Sequence, residues 1–240
     1  MGISFSQIVN GSFSETQILA YIFIHFAFVV SFLYISYRVF ISQNKYSIMT
    51  HTISFLGSWI EKRNPKGWKI FTLGMIITGL MFIPLFAYIF SHTLLIFEWG
   101  AYIGLIFGIV ASIGLMLIGI VPDNENLEMY KGISWGKAHD TIAVISVVSF
   151  AITILWSGIM ILVNNFSQKI EIHASIHLGY VITILVISVG VYYQIRWAKM
   201  CKKDHTLDSF PGEGIHSFPL WEWILFGLLL LMTYWIALAL

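Results

Sequence analysis

Of the 240 residues, 58% are hydrophobic and only 10% are charged, and the net charge is +1. Soluble domains carry about a quarter charged residues, so this composition excludes a water-soluble globular chain and demands one that dissolves in lipid. The single cysteine, Cys201, excludes an intramolecular disulfide framework and any cysteine-built metal cluster within the chain.

Crossing hydrocarbon takes roughly 20 apolar residues, and six such runs occur in chain order. The first, Gln17–Ile41, holds His25 about two helical turns in; it is too long for a cleavable signal and has no basic flank before it. A polar stretch with Ser54 and Asn64 follows, then the second run, Lys69–Ser91, with His92 at its end. The third, Phe97–Val121, places Gly100, Gly104, Gly108 and Ser112 at every fourth position, a small-residue ridge that predicts close helix contact within the chain. Acids, amides and lysines around Asp123 then interrupt the apolar character before the fourth run, His139–Val163, which opens on His139 and Asp140. The fifth, His173–Trp197, begins with His173 and His177, and the sixth is Pro219–Leu240. A lone segment in lipid must satisfy its own backbone, so each run predicts a helix. The expected fold is all-α, a polytopic six-transmembrane-helix bundle forming one integral membrane domain over residues 1–240.

Charge placement predicts orientation. Six spans put the loops Ser42–Trp68, Pro122–Ala138 and Ala198–Phe218 on one face, and those loops and the adjoining helix ends hold twelve of the thirteen Lys and Arg residues, all but Lys169. The positive-inside rule assigns that face to the cytoplasm of a multi-pass cell-membrane protein and puts both termini outside. The sequons at Asn10 and Asn165 fall on the external face.

The polar groups divide into two layers. His139 and Asp140 lie at the cytoplasmic start of the fourth run. There a neutral imidazole beside an ionised carboxylate suits a general base acting on a lipid headgroup or a water, while capping of the helix by Asp140 is the structural alternative. Both are the catalytic candidates. Ser54, Asn64, Asp123 and His139 are the candidate ligand-binding residues, since amides, acids and a helix N-terminus supply donors and acceptors for a polar headgroup. On the external side His173 and His177 stand four apart on one helix face, a spacing that suits two ligands on one metal, with His92 and His25 as further donors. No cofactor is required by this pattern; haem or a transition metal is the alternative those histidines allow. Nucleophile-elbow, phosphate-loop and arginine-ladder motifs are missing from the sequence.

The segments "HTISFLGSWIEKRNPKGWKIFTLGMIITGLMFIPLFAYI", "GAYIGLIFGIVASIGLMLIGIVPDN" and "KAHDTIAVISVVSF" resemble a six-helix prokaryotic membrane family, the domain of unknown function number 998. The likeness rests on Ser54, Leu56 and Gly57 before the second helix, Asn64, Gly119 and Pro122 closing the third, and His139; Val121 stands where the family pattern has an aromatic residue. That family is remotely similar to the autophagy-modulator and GPI-anchor-remodelling membrane proteins, some linked to lipid handling. The resemblance implies a lipid-handling or lipid-modifying protein with a polar pocket at the cytoplasmic ends of helices two to four. The alternatives are a non-catalytic subunit or scaffold of a membrane complex and a haem or metal carrier using the external histidines. Expected partners are membrane lipid and other membrane subunits, with no nucleic acid.

Overall fold

Local capping signals set where the chain becomes helical. In the computed structural model, which describes residues 7, 10–60, 63–124, 128–130, 132–168, 174–200 and 214–240, six long helices follow in order. They are α1 (Glu15–Ile41), α2 (Trp68–Thr93), α3 (Glu98–Ile120), α4 (Trp135–Gln168), α5 (Ala174–Met200) and α6 (Phe218–Ala239). A 3-10 turn at Ile53–Gly57 precedes α2, and a two-stranded antiparallel ribbon, β1 (Glu128–Tyr130) with β2 (Ile133–Ser134), precedes α4. All helices but α5 are long and apolar enough to cross a membrane, and α5 contributes a shorter apolar stretch, Gly179–Tyr193, among the described residues. The chain is an all-α, multi-pass helical membrane protein.

Two starts differ from the sequence reading by more than one residue, each because of a serine. Ser14 and Gln17 form a capping box, with the Ser14 hydroxyl accepting from the Gln17 amide and the Gln17 side chain accepting from Ser14 N–H, so α1 begins at Glu15. The Ser134 hydroxyl accepts from Lys137 N–H at 3.1 Å, so α4 begins at Trp135 rather than at His139.

The pairs α1–α2, α2–α3, α3–α4 and α5–α6 each pack antiparallel. Along the α1–α2 contact Phe32 meets Phe71 and Tyr21 donates to the Met81 carbonyl. Between α3 and α4 the Ser146 hydroxyl donates to Ala111 O, Thr153 to Gly104 O and the Trp156 indole to Gly100 O. His25 of α1 packs on Tyr234 of α6, and Gly179 of α5 faces Met232 of α6. The loop before α2, the α3–α4 loop and the start of α6 therefore share one end of the bundle.

The glycine ridge on α3 is used inside the chain. A Cβ at Gly100 would meet Met160 and Trp156 of α4, one at Gly108 would lie 2.7 Å from the Phe86 ring of α2, and one at Gly114 would lie 2.5 Å from Ser146. Small residues let the backbones approach until α4 side-chain donors reach α3 carbonyls, which provides the directional part of helix association in lipid. The aromatic core, Phe82, Phe86 and Phe150, fills the space between α2 and α4. Outward faces are apolar instead of charged: Leu19, Phe23, Ile24, Val30 and Ile35 of α1 are all exposed. Such a surface is soluble in hydrocarbon and insoluble in water.

Candidate functional site

The loop-bearing end of the bundle is held together by polar side chains that the surrounding hydrocarbon makes expensive to leave unpaired. Asn64 is fully buried and acts as a hub: its amide donates to Leu56 O at 2.7 Å, and its oxygen accepts from Gly67 N–H at 3.1 Å and from the Gln43 side chain at 3.0 Å. It thus ties the 3-10 turn, the end of α1 and the start of α2 to one another. Arg63, 1% exposed, donates to the Asp123 carboxylate at 3.1 Å, and its guanidinium carbon sits 3.8 Å above the Phe55 ring. A buried charge is tolerated only when paired and hydrogen-bonded, and this pair fastens the α3–α4 loop to the segment before α2.

Next to that pair, His139 connects three elements. Its Nδ1 lies 2.6 Å from the Val121 carbonyl and its Nε2 lies 2.9 Å from the Ser54 hydroxyl. A carbonyl only accepts, so Nδ1 carries the proton, Nε2 presents its lone pair, and the Ser54 hydroxyl donates to it. His139 is buried, whereas Ser54 is half-buried. Val121 caps the C-terminus of α3, whose terminal carbonyls form the negative end of the helix dipole.

This changes the electrostatics that the sequence suggests. Read as the first residue of its helix, His139 would face a dipole that disfavours an imidazolium; in the structure it lies one turn inside α4 and is oriented by the end of α3. Asp140, half-buried, is likewise beyond the first turn, and the capping role assigned to it from sequence belongs to Ser134.

The four residues proposed for ligand binding, Ser54, Asn64, Asp123 and His139, do converge at one end, but as two adjoining clusters. Ser54 and His139 bond directly, Asp123 is engaged by Arg63, and Asn64 is occupied with backbone and Gln43. Sequence reasoning counts Arg63 only as a topogenic charge and Trp223 only as part of an interfacial aromatic belt, and it passes over Gln43 and Tyr46. The Tyr46 hydroxyl bonds to the His51 and Thr52 carbonyls and accepts from the Trp223 indole at 3.0 Å, securing α6 to the loop; burial pushes this phenol far above its ordinary pKa, so it stays protonated. The Arg63-Asn64 pair, five positions before the predicted span at Lys69, was the available signal for the cluster.

Of the histidines expected to form a metal site, the two that are described, His25 and His92, do not come together. His25 is fully buried, with Phe82 at 4.6 Å and Tyr234 at 5.6 Å between ring centroids, and neither ring nitrogen has a hydrogen-bond partner. His92 turns its Nδ1 back to the Tyr88 carbonyl of its own helix at 3.0 Å. His173 and the His177 side chain lie outside the described residues. Among the described residues no three His, Cys, Asp or Glu side chains are placed to hold a metal ion. A cavity of about 290 Å³ adjoins His92 at this opposite end, lined by Leu95, Ile96, Ile161 and Asn164 among others.

Compared with protein-family models, with curated proteins and with solved structures, the chain matches none of them.

Proposed function

We propose that this protein is a six-span cell-membrane protein that handles or modifies lipid, with a headgroup site built from Ser54, His139 and the adjoining Arg63–Asp123 pair at the cytoplasmic ends of α2–α4. The observation that carries the reading is the Ser54–His139 hydrogen bond, whose ring tautomer is set by the Val121 carbonyl. The positive-inside distribution supports a cytoplasmic site and external termini. The site's depth fits as well. Trp59 and Trp68 pack edge to face at 5.6 Å, and Trp135 opens α4, so the end of the bundle that holds Ser54 carries aromatic residues of the kind found at lipid headgroup level. The scaffold reading gains no support from the small residues of α3, because Gly100, Gly104, Gly108 and Ser112 are buried within the chain.

Native mass spectrometry of the protein released from its own membrane tests the reading. A defined lipid mass retained by the parent and lost in His139→Ala, with the fold intact, is the expected result. Retention unaffected by His139→Ala removes the site, and a parent that carries no lipid removes the function.

A further inference from the structure

We infer that Ser54 is a nucleophile activated by His139, and that the reaction is hydrolysis of a carboxylic ester in a membrane lipid; this rests on the lipid reading and specifies its chemistry. The geometry supplies the parts that serine-based acyl transfer requires: a hydroxyl and a base within hydrogen-bond reach, and a third group orienting the base. Here the third group is the Val121 carbonyl at 2.6 Å, which leaves Nε2 free of its own proton and directed at the Ser54 oxygen 2.9 Å away. Ser54 is the more accessible member, so a substrate carbonyl approaches it while the imidazole stays shielded by protein. The tryptophans at the same end of the bundle fit headgroup level, and lipid ester carbonyls lie at this boundary between headgroup and hydrocarbon.

In the first step the Ser54 oxygen bonds to the ester carbonyl carbon and its proton passes to His139 Nε2. The terminal carbonyls of α3 stabilise the charge this creates on the ring. The bond between that carbon and the alcohol oxygen then breaks, the alcohol leaves with the proton from Nε2, and an acyl ester remains on Ser54. Water attacks the acyl carbon, giving up its proton to Nε2; the Ser54–acyl bond breaks, Ser54 recovers that proton, and a fatty acid departs. One ester and one water give one alcohol and one carboxylic acid, with no change of oxidation state.

The test uses the full chain in vesicles of phosphatidylethanolamine and phosphatidylglycerol, treated with a fluorophosphonate that captures activated serines. Peptide mapping should place the adduct on Ser54, and Ser54→Ala should abolish it. His139→Ala should slow labelling by about 10²-fold or more, and added imidazole should restore part of the rate, which a residue serving only as a strut would not allow. Fatty acid release should follow the same order. A parent that retains lipid in native mass spectrometry yet neither labels at Ser54 nor releases fatty acid overturns the inference and leaves the lipid reading standing. Loss of both retention and labelling overturns both. Labelling that persists in Ser54→Ala, or a His139→Ala rate that imidazole does not raise, also overturns it.

Discussion

Breaking the buried ion pair between Arg63 and Asp123 is the perturbation whose size the structure fixes best. Both side chains are almost completely removed from solvent, at 1% and 4% exposure, with 3.1 Å between nitrogen and oxygen. In Asp123→Asn the guanidinium keeps its charge in a site that excludes water and loses the carboxylate 3.1 Å away; removing one partner of such a pair costs about 3–5 kcal/mol. Arg63→Met leaves the carboxylate in the same position and also gives up the contact with the Phe55 ring, so its loss should be at least as large. In the double variant both charges of the pair are gone, and its loss should be smaller than the sum of the two single losses by about 2–3 kcal/mol. Equilibrium unfolding in mixed micelles, followed by tryptophan fluorescence, measures all three. Single losses below about 1 kcal/mol, the size expected of an exposed pair, or strictly additive losses would refute the argument that this pair locks the α3–α4 loop to the segment before α2.

Other outcomes follow from the same structure. Gly114→Ala brings a Cβ within 2.5 Å of the Ser146 Cβ and should cost about 1–3 kcal/mol, whereas a Cβ at Gly104 has 3.5 Å to the Ser157 hydroxyl, so Gly104→Ala should melt at or above the parent; equal effects would show that the seam is looser than described. Ser14→Ala removes the capping box of α1 and should destabilise by about 1 kcal/mol, readable as faster amide exchange in the first turn, and unchanged exchange would contradict it. His25→Leu replaces a buried imidazole that has no partner and should raise the melting temperature; a fall would mean that the ring is satisfied by a bound molecule. With Cys201 changed to Ser, a thiol at Ser12 should react from outside intact cells and one at Lys45 should not; the reverse pattern inverts the topology.

Much of the bundle is legible in the sequence because hydrocarbon imposes length and satisfaction rules that apolar runs display directly. The centre of every helix was readable in this way. Helix starts were less so, since they depend on single serines, Ser14 and Ser134, that the apolar pattern does not weigh. The grouping of Ser54, Asp123 and His139 at one end followed from alternating spans, but the bond between Ser54 and His139 joins residues 85 positions apart and depends on how the 3-10 turn folds against α4. The role of Arg63 was hidden for a similar reason: a basic residue in a loop reads as a topology signal, and only tertiary packing shows that the loop is buried. His25 and His92 look like partners on a list of external-side polar residues, yet one faces the aromatic core and the other its own helix backbone.

The most direct test of a lipid site at the Ser54–His139 end is to find where lipid touches the chain. Photoactivatable phosphatidylethanolamine, with its reactive group in the headgroup, should crosslink to peptides spanning residues 47–70 and 119–141 in membranes containing the parent protein, and those adducts should fall in His139→Ala. Adducts confined to the opposite end, beside His92 and Asn164 where the 290 Å³ cavity opens, would contradict the account.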